Sequence, residues 1–190
     1  MLQAAGDAAR LVSGLSPLFP TAAICAPAAT CACAPGDNVA LHRALSGARA
    51  GDAIVCSAGG HTGVGHFGEL MALDARGRGV VGLLIDGAVR DSVAVTELGF
   101  PIFHVGLAAQ ASVKERARSV DEPVELCGVP VAPGDQIVAD RDGVLVVPAA
   151  AWPEVEAAAQ TLREREAGIR AELAKGRRLA ELIALPADEG

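Results

Sequence analysis

The sequence predicts a single α/β domain in which parallel strands are covered by helices and followed by a small antiparallel layer. Up to about residue 105, short buried apolar runs alternate with helical segments, which favours parallel strands joined by crossover helices. After residue 121, turn signals separate short β-branched runs, and the chain ends in one long helical segment. No internal repeat or linker divides the 190 residues, so one domain over 1–190 is the simplest organisation.

The amino-terminal part predicts short strands and one well-defined helix. A short helix is expected over residues 2–12, and the run PTAAICAPAATCACA over 20–34 predicts two strands interrupted near Pro27. Asp37 or Asn38 can cap the next helix, which is expected to end near residue 48, because both side chains accept hydrogen bonds from free N–H groups.

The middle of the chain carries the β-α-β alternation. AIVC is a buried strand, and a helix is expected over about 68–77. GVVGLLIDG is a second buried strand, expected to end at Asp86-Gly87. A helix over 92–98, capped by Asp91, and the strand FPIFHVG complete the alternation.

The chain is expected to end in a helix over about 150–184, in which Pro153 is tolerated because it lies in the first turn. Seven residues follow the three- and four-residue steps of a packed seam: Trp152, Val155, Ala159, Leu162, Glu166, Ile169 and Leu173. Glu166 is the charged member, and an unpaired buried carboxylate is costly. It should therefore face an arginine of a neighbouring subunit or a metal-bound water, unless it lies exposed at the edge of the seam.

Composition and charge exclude several classes of protein. With 16 basic against 23 acidic residues and a net charge of −7, the chain lacks the basic excess expected of a direct nucleic-acid partner. No apolar run approaches the ~20 residues of a membrane span, and no secretory signal is visible, so a cytoplasmic protein is expected. Five cysteines without a C-x-x-C pair predict buried, reduced thiols.

Gly63, Gly65 and Gly68 spell G-x-G-x-x-G, the pattern of a dinucleotide-binding turn. Three features argue against a dinucleotide: the preceding strand ends near Cys56, the following helix is short, and no second doubly wound half follows. A helix that starts at Gly68 nevertheless favours an anion, because its first N–H groups are free. The alternative is a loop that merely turns the chain.

The segment LLIDGAVRD places polar residues where a buried strand ends, the edge at which open α/β sheets bind ligands. Arg90 offers a bidentate fork for a carboxylate or keto acid. Asp91 can ligate a hard cation such as Mg²⁺. The alternative is a surface ion pair in which Asp91 only caps a helix.

Histidine, serine and cysteine add no catalytic signature. His61 and His66 lie five apart in a loop, which is not the spacing of a helical zinc pair, so two solvated histidines are expected. No serine lies in a nucleophile elbow, and no cysteine has an evident base beside it.

Five segments together resemble a known family: PGDNVALHRAL, GDAIVCSAGG, GELMALDARGRGVVGLLIDGAVRD, LGFPIFHVG and PVELCGVPVAPGDQIVADRDGVLVVP. Across about residues 15–175 the chain resembles the family that unites class II 4-hydroxy-4-methyl-2-oxoglutarate (pyruvate) aldolases with regulator of ribonuclease activity A proteins. The resemblance implies an α/β/β sandwich of mixed sheets. It also implies homotrimers or homohexamers with sites between subunits, at which the C-terminal helix packs.

The resemblance further implies roles for individual residues. The keto-acid carboxylate would lie on the backbone of four residues: Gly68, Glu69, Leu70 and Met71. Arg90 would bind the substrate, and Asp91 would ligate a divalent cation, Mg²⁺ or Mn²⁺. Glu69 matches the acidic residue that holds a metal-bound water, and Glu166 matches a glutamate contributed by a neighbouring subunit.

The implied activity is metal-dependent cleavage of hydroxy-oxo acids to pyruvate, or decarboxylation of oxaloacetate through the same enolate. The implied small-molecule partner is a keto acid, and neither nucleic acid nor membrane is expected as a direct partner. The alternative is a non-catalytic regulator that binds ribonuclease E and inhibits it.

Overall fold

The structure is a computed structural model that describes residues 5–183. The strands are β1 Arg10–Val12, β2 Ser16–Pro17, β3 Ile24–Cys33, β4 Ala53–Ser57, β5 Gly82–Val89, β6 Ile102–Leu107, β7 Ala117–Val120, β8 Val124–Leu126, β9 Val129–Val131, β10 Gln136–Asp140 and β11 Gly143–Val147. The helices are α1 Val39–Gly47, α2 Glu69–Gly77, α3 Ser92–Leu98, α4 Trp152–Ala174 and α5 Leu179–Leu182.

One curled sheet organises the fold, with strand order β1-β11-β10-β3-β4-β5-β6-β2 and β7 paired to β3. Strands β3 to β6 are parallel, as the β-α-β alternation predicts. Strands β10, β11 and β1 are antiparallel, and β8 and β9 form a separate hairpin, as the turn-rich segment predicts. The predicted α/β class with a second β layer is confirmed.

Two apolar cores explain the layering. Helices α1 to α3 cover one face of the parallel strands, where Leu41, Ala72 and Val95 pack against strand residues such as Ile54 and Leu83. The opposite face packs against the antiparallel strands and the hairpin. The parallel strands are therefore buried on both faces, which accounts for their nearly continuous apolar sequence.

Strand β3 is continuous, whereas the sequence predicted two strands interrupted near Pro27. Residues 24–27 pair with antiparallel β10, and residues 28–32 pair with parallel β4. Pro27 lies where the strand changes partner, so the N–H that proline lacks is not needed in the second ladder. The change of partner joins the two halves of the sheet.

Strand β5 also runs further than predicted. It continues past Asp86-Gly87 to Val89, and its pairing with β6 shifts register between Ile85 and Ala88. The Asp-Gly pair thus marks a bulge in the ladder, and the turn signal was misread as a strand end.

The two ends of the chain depart from the sequence predictions. The part of the predicted helix over 2–12 that is described consists of a 3-10 turn, Gly6–Ala8, and strand β1, which extends the sheet edge beside β11. The predicted helix over 150–184 ends at Ala174, and α5 follows as a separate short turn of helix. Gly176 has a φ of 88°, the left-handed conformation typical of a helix end.

Only the first turns of helix α4 pack against the rest of the domain. Val155 and Ala159 are buried, and Val155 packs against Ala5 and Val147. Leu162 and Ile169 are half-buried and Leu173 is 37% exposed, so within a single chain the predicted seam is covered only at its start. In the described range, no helix combines the length and the apolar character that crossing a bilayer requires.

The cysteines are free thiols, but they are not all buried. Cys31, Cys33 and Cys56 are enclosed, with 3.6 Å between the sulfur atoms of Cys33 and Cys56. Cys25 is exposed and Cys127 is half-buried, so the prediction of buried thiols is wrong for these two. Cys25 lies on β3 where alternate side chains point outward, which explains its exposure.

Candidate active site

Arg90 and Asp91 follow directly on β5, at the edge where the parallel strands end. The Arg90 N–H donates to the Phe67 carbonyl oxygen at 2.8 Å. This bond ties the end of β5 to the glycine loop just before α2 begins. The structure therefore brings Arg90, Asp91 and the start of α2 together, an arrangement that the family resemblance implied.

Asp91 holds an uncommon backbone conformation, with φ 56° and ψ 37°, that Asp tolerates better than most residues. It occupies the N-cap position of α3, but its side chain makes no capping hydrogen bond to that described helix. Its Oδ2 instead accepts from the Glu69 N–H at 3.1 Å and lies 3.5 Å from Arg90 Nε. The prediction of a simple helix cap is thus corrected: the carboxylate bridges Arg90 and the start of the neighbouring helix.

The glycines of the loop make room for this pair. A Cβ at Gly65 would lie 2.7 Å from the Arg90 Cβ and 2.8 Å from the Ala108 carbonyl oxygen. A Cβ at Gly68 would lie 2.9 Å from Arg90 Cγ and would overlap the Asp91 carboxylate. Real Cβ contacts are not this short. Glycine at these two positions of the G-x-G-x-x-G pattern therefore allows the loop backbone to pack closely against Arg90 and Asp91.

The loop is not a tight strand-to-helix turn. β4 ends at Ser57 and α2 begins at Glu69, and Gly65 forms isolated bridges to Ala88 and Ala111 in between. The geometry therefore supports the sequence argument against a dinucleotide fingerprint, which requires the first glycine directly after its strand.

The first turn of α2 presents free N–H groups. The first hydrogen bond back along the helix runs from the Ala72 N–H to the Gly68 carbonyl oxygen at 3.0 Å, so the amides of Glu69, Leu70 and Met71 precede the helical ladder. The Asp91 carboxylate already accepts a hydrogen bond from the Glu69 amide. The amides of Leu70 and Met71 remain free, so hydrogen bonding and the helix dipole both favour a carboxylate ligand there.

A cavity of about 130 Å³ lies beside these groups, and Gly68, Leu70, Met71 and Arg90 contribute to its wall. Pockets for drug-sized ligands typically reach about 300–1,000 Å³. The cavity therefore suits a small acid better than a nucleotide. Its charged lining residues, Arg90 and Lys114, are both cations, although the whole chain carries a net charge of −7.

A larger cavity, of about 910 Å³, lies elsewhere and contains Asp86. Asp86 is buried, and its carboxylate accepts from the Ala58 N–H and, at 3.4 Å, from the Ser57 hydroxyl. Burial raises the pKa of Asp86, and these hydrogen bonds oppose the rise. Asp86 thus anchors the start of the glycine loop and does not line the cavity beside Arg90.

The two predicted glutamates differ in position. Glu69 is exposed at the first position of α2, and its backbone N–H donates to the Asp91 carboxylate. Glu166 lies on α4, where its carboxylate is 3.8 Å from Arg170 Nη2, and it does not line the cavity of its own chain. Its contribution from a neighbouring subunit stays a prediction.

The histidines of the loop are not solvated as predicted. His66 is fully buried, with Nδ1 3.4 Å from the Ala88 carbonyl oxygen, and burial lowers its pKa. His61 is half-buried, and its ring meets His66 edge to face with 5.5 Å between centroids. Gly87 lets the His66 ring approach the strand, since a Cβ there would already lie 3.2 Å from the His66 Nδ1.

Asp91 is the hard oxygen ligand that the site offers a divalent cation. Over residues 5–183, no group of three or more His, Cys, Asp or Glu side chains is placed to hold a metal ion. Magnesium is commonly bound by one or two carboxylates while it keeps several waters, so a single aspartate with Glu69 nearby fits such an ion.

Asp37 fixes the segment that forms part of the cavity wall. Its buried carboxylate accepts from the N–H groups of Val39 at 2.7 Å, Glu115 at 2.7 Å and Arg116 at 3.0 Å. Burial alone would raise its pKa, but these three donors outweigh burial, and the pKa of Asp37 lies below its usual value. The sequence had identified this residue only as a possible helix cap.

Replacing Asp37 with alanine is expected to lower the free energy of unfolding by about 2–3 kcal/mol, because buried donors lose their acceptor. Since the pKa is lowered in the folded state, this stabilisation is fully present above the unfolded carboxyl pKa of about 3.9 and is lost as the pH falls through the folded value. Urea unfolding at pH 7 and at acid pH measures the difference. The exposed Asp140, which accepts from the Asp142 N–H at 2.9 Å, provides the control Asp140→Ala. An equal effect of both substitutions would contradict the assignment.

Known proteins match both the sequence and the fold. A sequence profile of the RraA-like family, described as Aldolase/RraA, matches residues 2–146. A relative from Halalkalibacterium halodurans with a provisional 4-hydroxy-4-methyl-2-oxoglutarate aldolase name is 39% identical over 138 residues, 73% of this chain and 66% of that protein. A 4-hydroxy-4-methyl-2-oxoglutarate aldolase of Thermus thermophilus is 31% identical over 112 residues, 59% of this chain and 68% of that protein. The matched part is thus just under two thirds of the Halalkalibacterium relative.

A solved structure extends the match to the fold. The crystal structure of Streptomyces coelicolor RraAS2, described as an unusual member of the RNase ES inhibitor RraA protein family, superposes with a TM-score of 0.76 at 31% identity. The superposition covers 84% of this chain and 82% of that one. Together with the profile match over residues 2–146, it establishes that this chain belongs to the RraA-like family.

Proposed function

We propose that the protein is a divalent-metal-dependent lyase that releases pyruvate from 4-hydroxy-2-oxo acids such as 4-hydroxy-4-methyl-2-oxoglutarate, and that it decarboxylates oxaloacetate at the same site. The observation that carries the proposal is that Arg90 and the start of α2 share the wall of one small cavity, while the Asp91 carboxylate contacts both the Glu69 amide and Arg90. The relatives named as aldolases support it.

The residues of this chain divide the binding of a 2-oxo acid between them. The amides of Leu70 and Met71 are the donors for the C1 carboxylate, since they precede the helical ladder. Arg90 is the cation for the 2-oxo oxygen, on which negative charge develops during the reaction. Its backbone bond to Phe67 and the close approach of Gly65 hold it in place before substrate binds.

Asp91 would ligate Mg²⁺ or Mn²⁺, and Glu69 would hold a water molecule beside the ion. When bound, the cation supplies Lewis-acid stabilisation of charge on the keto acid. The Asp91 carboxylate lies on the Glu69 amide and beside Arg90, which orients it toward the start of α2. Its side chain is 39% exposed, so solvent and a cation can reach it.

Cleavage breaks the C3–C4 bond of the substrate. The C4 hydroxyl loses its proton, C4 becomes a carbonyl carbon, and the bonding electron pair stays on the three-carbon fragment as the enolate of pyruvate. We assign the proton transfer to Glu69 and to Glu166 of a neighbouring copy, which take the hydroxyl proton through water and return a proton to C3. Loss of carbon dioxide from oxaloacetate leaves the same enolate, so Arg90 serves both reactions.

The site is proposed to be completed by further copies of the chain in a homotrimer or homohexamer. Leu70 is 75% exposed and Val93 is 71% exposed, and both lie at the starts of helices on the edge that carries Arg90. The seam of α4 beyond Ala159 is also uncovered in one chain. Large apolar side chains exposed near a site are typical of surfaces that a partner covers.

A coupled pyruvate assay tests the proposed function. With Mg²⁺ or Mn²⁺, the protein is expected to release pyruvate from 4-hydroxy-4-methyl-2-oxoglutarate and from oxaloacetate, and a chelator should abolish both activities reversibly. Asp91→Ala should lose activity at all metal concentrations, because it removes the proposed ligand, whereas Asp74→Ala on the exposed face of α2 should not. Full activity in the presence of chelator, or in Asp91→Ala, would contradict the proposal.

The alternative function is a non-catalytic regulator of a ribonuclease of the RNase E type. The acidic surface, with a net charge of −7, and the name of the Streptomyces structure favour it. A pulldown with purified ribonuclease E, scored together with inhibition of RNA cleavage, decides between the two. The regulator would inhibit the nuclease equally well as wild type and as Asp91→Ala, since no chemistry at Asp91 is involved.

A further inference from the structure

Three buried cysteines lie together near the ends of β3 and β4, away from the groups that the proposed reaction uses. Cys31 and Cys33 are two residues apart on β3, and Cys31 is the cross-strand partner of Cys56 on β4, so all three side chains point into the same core. The sulfur atoms of Cys33 and Cys56 are 3.6 Å apart. Two thiols at this distance are in direct contact without being bonded.

Cys33 differs from its two neighbours because it can be reached from outside. It contributes to the wall of a cavity of about 450 Å³, which neither Cys31 nor Cys56 lines. Gly59 and Gly60 on the same wall are exposed, so the cavity opens to solvent. A molecule as small as a hydroperoxide fits within this space and can approach the Cys33 side chain.

The start of α1 supplies a hydrogen-bond donor to the Cys33 sulfur. The first hydrogen bond back along α1 runs from the His42 N–H to the Asn38 carbonyl oxygen at 3.2 Å. Leu41 precedes this bond, so its amide has no acceptor within the helical ladder, and it donates to Cys33. A sulfur that accepts from the amino-terminal turn of a helix is stabilised as a thiolate.

The two thiols of the contact have opposite acid strengths. The Cys56 thiol donates to the Cys33 sulfur, and this hydrogen bond is the main reason that the pKa of Cys33 lies below its ordinary value. The Leu41 amide acts in the same direction, whereas burial and the carboxylates of Asp37 and Asp86 act against it. Burial raises the pKa of Cys56. Cys33 is therefore the better nucleophile, and Cys56 stays protonated beside it.

We propose that Cys33 and Cys56 form a peroxide-oxidisable pair in which Cys33 is the reacting thiol and Cys56 is the resolving thiol. The Cys33 thiolate attacks one oxygen of a hydroperoxide, the O–O bond breaks, and the leaving oxygen takes up a proton to become water or an alcohol. The Cys56 sulfur then attacks the sulfenic acid: an S–S bond forms, the S–O bond breaks, and the hydroxyl leaves as water with the Cys56 proton. The two sulfurs lose two electrons, which reduce the peroxide.

The positions of the two cysteines in their strands allow the bond to form. Bonded sulfur atoms are about 2.0 Å apart, so the present separation of 3.6 Å must shorten. Cys33 is the last residue of β3, and the pairing of β3 with β7 is irregular between Ala32 and Cys33. Cys56 is followed by Ser57, at which β4 ends. A strand end adjusts more easily than a strand centre, because fewer ladder bonds hold it.

Peptide mapping by mass spectrometry tests the pair on the full-length wild-type protein, which needs no variant. After treatment with hydrogen peroxide and alkylation of the remaining thiols, digestion should yield a cross-linked peptide that joins Cys33 to Cys56 and is lost on reduction with dithiothreitol. Cys31→Ala is the matched control, because Cys31 is also buried beside Cys56, and this variant should form the same cross-link. A Cys33 that stays reduced, or a cross-link between Cys31 and Cys56 instead, would overturn the proposal.

Trapping with dimedone, a reagent for sulfenic acids, tests the division of roles. In Cys56→Ala the resolving thiol is absent, so Cys33 should carry the dimedone label, whereas in Cys33→Ala the label on Cys56 should be lost. Cys25, which is exposed, is the internal comparison for exposure alone. Labelling of Cys25 while Cys33 stays unlabelled would show that exposure decides reactivity, and it would overturn the assignment. Both experiments are independent of the proposed lyase, since neither depends on turnover of a keto acid.

Discussion

Replacing Arg90 with alanine is expected to lower kcat/KM for pyruvate release by about 10³-fold, the scale observed when a preorganised charge-stabilising donor is removed. The loss has two sources in the structure. The enolate oxygen loses its cation, and the Asp91 carboxylate loses the guanidinium whose Nε lies 3.5 Å away. Both groups are about 39% exposed, so the ion pair itself adds little to stability and the melting temperature should stay close to that of wild type.

Two companion variants make the Arg90 experiment specific. Arg90→Lys keeps the charge but loses the planar fork, so it should retain only part of the activity. Arg78→Ala removes a similarly exposed surface arginine, paired with Asp74 at 2.9 Å, and should leave the rate unchanged. If Arg90→Ala proved as active as Arg78→Ala, Arg90 would have no part in catalysis.

Replacing Gly68 with alanine is the second substitution with a large expected effect. Gly68 has φ −149°, an extended conformation that any residue adopts, so the backbone itself would not be strained. The added methyl group would instead overlap the Asp91 carboxylate and lie 2.9 Å from Arg90 Cγ. Both side chains would have to move, and a displacement of about 1 Å in a positioned group can cost about 10²-fold in rate.

The control for this substitution lies in the same helix. Gly77 ends α2, and a Cβ there would meet no atom within 4 Å, so Gly77→Ala should leave kcat/KM unchanged. Both variants are compared by steady-state kinetics, with thermal unfolding monitored by circular dichroism. Retention of full activity by Gly68→Ala would mean that Arg90 and Asp91 need no fixed position against the start of α2.

The parts of the fold that could be predicted are those in which local pattern and tertiary environment agree. The buried strands β4 and β5 and the helix α2 were predicted from apolar runs and turn residues, because both faces of the parallel strands are covered. The continuity of β3 was mispredicted at Pro27, and the extent of β5 was mispredicted at Asp86-Gly87. At both positions a residue typical of turns occupies a change of partner or a bulge, which sequence pattern alone does not distinguish from a break.

The candidate site shows the same division. The sequence pattern placed Arg90 and Asp91 at the end of a parallel strand and Gly68 at the start of a helix, and the family resemblance implied that they share one site. The side-chain direction of Asp91 could not be predicted, because it depends on a left-handed φ of 56° that the sequence does not indicate. His42 and Lys114 also line the cavity but carry no motif, and their segments meet because Asp37 pairs with Val113 and binds the Glu115 amide.

The burial of His66 illustrates a further limit of prediction. A histidine in a glycine-rich loop is expected to be solvated, yet the His66 ring is fully buried beneath the β5 bulge. Gly65 and Gly87 allow the loop to lie against the strand, so the glycines indicate close packing rather than flexibility here. Spacing within a loop does not reveal which neighbouring strand it covers.

A crystal structure with Mn²⁺ and pyruvate, with the ion located by anomalous diffraction, tests most directly whether Asp91, Arg90 and the start of α2 bind a metal-associated keto acid. The expected result is an anomalous peak at the Asp91 carboxylate, with the pyruvate carboxylate on the amides of Leu70 and Met71 and the guanidinium of Arg90 on its keto oxygen. The contradicting result is an Asp91 carboxylate that stays on the Glu69 amide, with no manganese peak beside it and no pyruvate in the cavity.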